Sequence, residues 1–296
     1  MSKYESYTKA ELVDALENHV CNGPECELCT FENPKCSATA AIIKNNQVLL
    51  LKRGEEPFKG KWDLLGGYLD KGETPEEAIK REIHEELGIE GFMIDFVKTF
   101  PGTAEWKGKQ FPILSHLFIV QLVEEPEIKL NEENEEYQWV DIKNLHTPGI
   151  AFDSNKDISE YLKKYFVFDL ARIRKLMKQL DPHAKINEHS LYRASLNGFV
   201  SQRFDEEGKL VGMGWIFPRQ TALRRQAVVE DMIVDESQRG KGLGREILKD
   251  LLTWAKEQNM DMVELTTNAK RQAANSLYKS EGFWLHETNH YLYNVK

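Results

Sequence analysis

Three carboxylates, Glu82, Glu85 and Glu86, fall within the stretch TPEEAIKREIHEEL, and residues three and four apart share one face of a helix. Three like charges on one face destabilise a bare helix. A hard cation such as Mg²⁺ or Mn²⁺ removes that penalty, because it takes carboxylate oxygens, retains waters and bridges the phosphate oxygens of a substrate. Arg81 is placed to hold one of the carboxylates, and Gly67 upstream lets the loop backbone fold close to a metal. A second candidate lies at Arg239 to Gly244, which reads R-x-x-G-x-G and runs into an amphipathic segment. Glycines at 240, 242 and 244 let backbone N–H groups turn inward without Cβ collisions, and a helix start adds partial positive charge, so a pyrophosphate fits there. A third group is the four cysteines, Cys21, Cys26, Cys29 and Cys36, spaced C-x4-C-x2-C-x6-C. Two readings stay open for them, a structural Zn²⁺ site and unrelated thiols: Cys26-x2-Cys29 has zinc-knuckle spacing, but the outer pair lacks a second C-x2-C.

The elements that must position these residues follow from capping and periodicity. Thr8 and Glu11 form a T-x-x-E capping box, which predicts a short helix over Lys9 to Val20 leading into the cysteines. From Ala38 the pattern turns to strands: ATAAII, a turn at Asn45-Asn46, then VLLLKR, read as a hairpin. Thr74 as N-cap, Pro75 at the first helical position and Glu77 closing a capping box start the carboxylate helix, and Gly88 stops it. Strands are expected at Phe92 to Phe100, Pro112 to Leu122 and Tyr137 to Val140. Between Glu124 and Asp141 stand eight acidic residues and one lysine. Further on, DISEYLKKYF and DLARIRKLMKQL read as helices, FVSQRFDEEGKLVGMGWIF as a hairpin turning at Glu207-Gly208, and AVVEDMIV as a buried strand.

The chain has 296 residues, 41% of them hydrophobic and 29% charged, which suits two globular cores. A net charge of −9 argues against a nucleic-acid polymer as partner, since phosphate contact is driven by clustered Lys and Arg; small phosphorylated ligands remain compatible with it. The longest apolar run, Ile113 to Leu122, is interrupted and too short for a bilayer, which needs about 20 apolar residues. No secretory pattern opens the sequence, so a cytoplasmic protein with no membrane segment is expected, and disulfides are disfavoured.

Gly67, Glu73, Arg81, Glu82, Glu85, Glu86 and Gly88 fit G-x5-E-x7-R-E-U-x-E-E-x-G-U without a gap, with Ile83 and Ile89 at the apolar U positions. This resembles the Nudix box at every fixed position, and the similarity extends over NPK, LLLKR, GKWDLLGG and EEYQWVD. The resemblance implies an α/β/α sandwich and hydrolysis of a nucleoside diphosphate linked to a further group. It implies Glu82 and Glu86 as metal ligands, Glu85 as ligand or base, the Gly66 carbonyl as a further donor, and Glu135 or Glu136 as a late carboxylate, with Glu136 the choice. Leu65 stands where the family usually has proline. The cysteine segment is similar to Nudix proteins carrying a zinc ribbon, but the SQPWPFP signature of the NADH pyrophosphatase type is absent.

After the strand MVELTTN comes AANSLYKSEGF, which with the glycine turn resembles GNAT acetyltransferases from about Phe168 to Val295. The resemblance implies a mixed-sheet fold that binds acetyl-CoA through Gln238, Arg239, Gly240, Lys241, Gly242, Leu243, Gly244 and Arg245, with the pantetheine arm along the strand ending at Val234. Asn275 would orient the cofactor, Tyr278 would protonate the leaving thiolate, and Glu230 or Asp231 would help deprotonate an amine of unspecified identity, small or peptide.

The expected organisation is a helix and cysteine segment over 1–37, a Nudix domain over 38–150, a linker helix over 151–166 and a GNAT domain over 167–296, an α/β (α+β) protein with two active sites. The rival reading makes the Nudix domain a nucleotide sensor that regulates the acetyltransferase; the intact box favours the enzyme. Self-association is compatible with either.

Overall fold

The computed structural model describes residues 34–106, 109–145, 149–291 and 293, with the backbone alone at 105, 106 and 109. The expected first helix and Cys21, Cys26 and Cys29 lie outside the described residues. The chain forms two compact units. The first comprises Met1–Ile42, Leu49–Val140 and His146–Ser159; the second comprises Ile43–Val48, Asp141–Leu145 and Glu160–Lys296.

The first unit is built on a mixed sheet of β1 (Lys35–Lys44), β2 (Gln47–Arg53), β3 (Trp62–Asp63), β4 (Leu65–Tyr68), β5 (Phe92–Trp106), β6 (Lys109–Leu122) and β7 (Asn134–Asp141). The path runs β3-β2-β1-β6-β5, with β4 on β1 and β7 on β2. β1 is parallel to β6 from Lys35↔Ile113 to Ile42↔Val120, and Thr39 and Ser115 hydroxyls meet at 2.7 Å across that pairing. Cys36 sits half-buried on β1 opposite Leu114. The hairpin β5–β6 is longer than the sequence suggests, pairing from Phe92↔Leu122 to Trp106↔Lys109. Pro101 and Pro112 read as strand breakers, yet β5 is an edge strand, and β6 at Pro112 is paired only with β5, so a missing N–H is tolerated at both.

The carboxylate helix α1 (Pro75–Leu87) forms as expected. Glu77 N–H donates to Thr74 Oγ1, Glu77 Oε2 accepts from Thr74 N–H at 2.9 Å, and Gly88 ends the helix at φ 67°. Ala78, Ile79, Ile83 and Leu87 make one apolar stripe and pack into a core with Ala38, Ala40, Ile42, Leu49, Leu51, Leu65 and Phe118. Burial of each large aliphatic side chain there contributes about 1.5–3 kcal/mol, and this fixes which face of α1 is left for Glu82, Glu85 and Glu86. Helix α2 (Asp153–Tyr165) spans the division between the units.

The second unit has a four-stranded sheet, order β11-β10-β9-β8, from β8 (Phe199–Phe204), β9 (Leu210–Gln220), β10 (Arg225–Val234) and β11 (Met262–Leu265), with helices α3 (Leu170–Leu180), α4 (Glu188–Asn197), α5 (Leu243–Glu257) and α6 (Gln272–Ser280). Its core joins Ile216, Ala227 and Val229 to Ile247, Leu251 and Ala255 of α5. β10 and β11 are parallel, as a crossover helix requires, and their pairing stops at Val229↔Leu265. No helix among the described residues is long and apolar enough to cross a membrane.

Arg172 of α3 donates to the Leu210 carbonyl at 2.8 Å and to Asp235, with both charged side chains nearly buried at 13% and 11% exposure. The Ser237 hydroxyl first, then its N–H and Arg172, hold the Asp235 carboxyl well below the usual carboxylate range. Replacing Arg172 by Met leaves this carboxylate without its cation, so unfolding free energy should fall by about 3 kcal/mol at pH 7. A depressed acid contributes stability that is present above its unfolded value and lost as pH drops, so the gap between variant and parent should narrow below about pH 4 in chemical denaturation.

Candidate active sites

In the first unit Arg81 is the hub. Its Nε and Nη2 grip Glu73 in a two-point fork at 2.8 and 2.9 Å, Nη2 also donates to the Tyr68 carbonyl, and Nη1 donates to Glu82 Oε1 at 2.7 Å and Glu85 Oε2 at 3.1 Å. The fork holds Glu73 at about pKa 2. The three helix carboxylates differ in exposure: Glu82 is 13% exposed, Glu85 54%, and Glu86 7%. Glu86 has a neutral donor, Asn134 Nδ2, at 2.7 Å. Burial first, then the charges of Glu82, Glu133 and Asp63, push its carboxyl up to about 8 despite that bond. Glu82 is also raised, by burial, against the lowering effect of Arg81. A buried and a nearly buried acid thus lie close enough for their charges to interact, and Glu86 has no cation among the described residues.

The glycines upstream shape this site in different ways. A Cβ on Gly67 would stand 2.0 Å from Glu82 Oε1, whereas one on Gly66 would stand 2.2 Å from the Ala38 carbonyl oxygen and 2.9 Å from Thr39 Cα. The first neighbour is the far end of a flexible side chain; the second is sheet backbone. Gly67→Ala should therefore keep the thermal midpoint within a few degrees while turnover falls about a hundredfold, since a displacement of one ångström at a reacting centre is enough for that. Gly66→Ala should instead lose about 1–3 kcal/mol of stability. Thermal unfolding and turnover of both variants separate the two roles.

Glu136 is paired with Lys52 Nζ at 3.4 Å, and Glu135 lies 3.8 Å from the same amine. The late acid whose charge reaches both Glu82 and Glu86 is Glu133, three residues earlier. No periodicity in that run of acids distinguishes Glu133 from Glu135 and Glu136. Among the described residues no three acids, histidines or cysteines are already drawn together as a formed metal ligand set. The donors nevertheless fit a hard cation: carboxylate oxygens, raised in pKa first by burial, beside a glycine whose missing side chain leaves room for Glu82.

In the second unit Gly240 and Gly242 adopt φ 82° and 86° with open space around them. Gly244 is different: it lies within α5, where a Cβ would meet Leu277, Met232 and Val234 at ordinary contact distances of 3.5–3.8 Å. The expectation of a collision at 244 is thus replaced by a plain helical position. Gly242 caps α5 without a side-chain oxygen; the Arg245 N–H bonds the Gly242 carbonyl at 2.9 Å, and the Leu243 and Gly244 N–H groups precede it at the helix start. Lys241 Nζ bonds Gln238 Oε1, Arg239 Nε donates to the Val234 carbonyl at 3.2 Å, and Arg245 pairs with Glu281 at 2.7 Å. A bulge follows Glu230 in β10, with Asp231 at φ 49°, and beyond Val229 this strand has parted from β11. Among the described residues the stretch from Glu230 to Val234 makes no ladder pairing with β11. Burial raises the carboxyls of Glu230 and Asp231. Tyr278 on α6 packs near Phe283, and burial raises its hydroxyl, while Asn275 Nδ2 donates to the Asn268 and Arg271 carbonyls.

A NUDIX domain model matches residues 34–162, and the Acetyltransferase (GNAT) family model matches 161–283. Residues of this chain are 35% identical over 135 positions to an ADP-ribose pyrophosphatase of Methanocaldococcus jannaschii, covering 45% of this chain and 76% of that protein. The chain belongs to the Nudix family. A GNAT acetyltransferase domain follows the Nudix domain. An octanoyltransferase of Myxococcus xanthus is 28% identical over 140 residues, 45% of this chain but only 38% of that protein's length. An acetyltransferase structure from Trypanosoma brucei, 23% identical, covers 43% of this chain and 93% of its own with a TM-score of 0.37. In the Nudix domain the departure at Leu65 is absorbed by the core: the side chain is 2% exposed and its residue pairs with Ala40 of β1.

Proposed function

We propose that the Nudix domain hydrolyses a nucleoside diphosphate linked to a further group with Mg²⁺ or Mn²⁺, and that the GNAT domain moves an acetyl group from acetyl-CoA to an amine. The observation that carries the first half is Glu86: a carboxyl buried beside Glu82, with only a neutral donor among the described residues, is stable as an anion only when a cation joins it. Glu82 and Glu86 would hold that cation, with the Gly66 carbonyl, Glu85 and the late acid around it. When bound, it supplies positive charge to phosphate oxygens and acidifies a water. Glu85, half-exposed at the site mouth, accepts the proton as the water oxygen bonds to one phosphorus and the bridging P–O bond breaks. Arg81 keeps Glu82 and Glu85 oriented through its grip on Glu73.

In the GNAT domain the amides from Gly240 to Gly244 and the side chains of Arg239, Lys241 and Arg245 receive the pyrophosphate of acetyl-CoA, and Asn275 lines its path. The amine nitrogen attacks the acetyl carbon, the C–S bond breaks, and Tyr278 gives its proton to the thiolate while Glu230 or Asp231 takes the amine's. In this reading residues 38–150 are the hydrolase, 151–166 a linker helix and 167–296 the transferase.

ADP-ribose is the first compound to assay, because the 35%-identical relative carries the name ADP-ribose pyrophosphatase. Phosphate-ester release from a panel of nucleoside diphosphate derivatives with Mg²⁺, alongside CoA-thiol release with a panel of amines, tests both halves. Turnover in each assay is expected; nucleotide binding without any hydrolysis would favour a sensor.

A further inference from the structure

Beside the carboxylates of the first unit lies a group of side chains that the hydrolytic chemistry does not use. Phe58 and Phe152 meet edge to face, ring centres 5.0 Å apart at 81°. Both are only half-buried, and both hold left-handed backbone, φ 68° and 50°. That conformation is costly for an aromatic residue, and strain of this kind collects at binding sites. Arg53 sits over the Phe152 ring at 5.2 Å and Lys61 over the Phe58 ring at 5.2 Å. Arg53 is itself fixed by the Pro57 carbonyl at 2.8 Å and by Asp63 at 3.4 Å.

The position of this group relative to the acids is set by the chain as it runs from β3 into β4. Asp63, 6% exposed and bonded by Arg53, Asn155 Nδ2 and the Leu64 N–H, is the last residue of β3. β4 follows directly and carries Gly67, whose missing Cβ leaves room for Glu82, and Tyr68, whose carbonyl Arg81 holds. An aromatic surface with two cations therefore adjoins the place where the diphosphate would be cleaved. Asn155 Oδ1, buried at 5% exposure, has no hydrogen-bond partner among the described residues. Aromatic faces suit a nucleobase, whose every form has a π-face to stack, and cations suit the phosphates attached to it.

We propose that Phe58 and Phe152, backed by Arg53 and Lys61, form the wall that recognises the nucleobase of the diphosphate substrate. This rests on the hydrolase reading above and adds the residues that set its specificity.

The test uses the full chain with Mg²⁺ and two probes, ADP-ribose and inorganic pyrophosphate, read by equilibrium binding and by steady-state kinetics. Phe58→Ala and Phe152→Ala should each weaken ADP-ribose binding and raise KM about tenfold, the usual effect of deleting a base-stacking ring, while pyrophosphate affinity and kcat change far less. Phe152→Leu, which keeps most of the packing, should show the same split if stacking is the cause, with an unchanged thermal midpoint. Equal weakening of both probes, or no weakening of ADP-ribose, overturns the wall. A parent that binds pyrophosphate but no nucleotide also overturns it and leaves the carboxylate site standing; a parent that binds neither removes the hydrolase reading as well.

Discussion

Glu86→Gln should abolish hydrolysis and at the same time make the metal-free protein more stable. Losing a carboxylate from a divalent site removes charge stabilisation worth several kcal/mol in the transition state, so kcat should fall about a thousandfold. The stability effect has the opposite sign. Glu86 ionises at about 8 in the fold against 4.5 as a free side chain, so the folded state binds a proton that the unfolded state releases. Stability in chelator must therefore fall as pH rises from about 4.5 to about 8, and the amide variant is spared that loss. The expected gain at pH 8 is on the order of a few kcal/mol, since one pKa unit is about 1.4 kcal/mol and Glu86 shares its shift with Glu82. Mg²⁺ should raise the parent's thermal midpoint at pH 8 and leave the variant's unmoved. A variant that is both inactive and less stable than the parent at every pH would show that Glu86 is a packing residue.

Tyr278→Phe should reduce the acetyl-transfer kcat on the order of a hundredfold, the low end for loss of a general acid, with KM for acetyl-CoA changed only a few fold. The ring and its contact with Phe283 survive in the variant, so the thermal midpoint should not move. Burial raises the Tyr278 hydroxyl above the ordinary tyrosine range, so the parent's rate should hold to high pH without an alkaline fall from this group. Full activity in the phenylalanine variant would reduce Tyr278 to a core aromatic.

The parts of this molecule most legible in the sequence are those fixed by local rules. Thr74, Pro75, Glu77 and Gly88 define the ends of α1 through caps, and its apolar spacing alone dictates that Glu82 and Glu86 share a face. The Nudix box then says what that face does. What stayed hidden depends on long-range placement. That the charge of Glu133 reaches Glu82 and Glu86 while Glu136 pairs with Lys52 depends on how the chain enters β7, in a run where acids stand at nearly every position. The lengthening of β5–β6 past two prolines rests on which strand lies at the edge of the sheet. Helix α4 escaped notice because its buried positions, His189, Leu191, Tyr192 and Ala194, include a histidine and keep no clean helical period. The Phe58–Phe152 pair joins residues nearly a hundred positions apart, and no short-range pattern announces it.

Titration calorimetry of the metal-free parent with Mn²⁺ at pH 8 is the most direct measurement. Saturable heat from ion uptake by the parent, lost in Glu86→Gln, is the result expected of a cation site at Glu86. Equal uptake by the two proteins, or none by the parent, would contradict it.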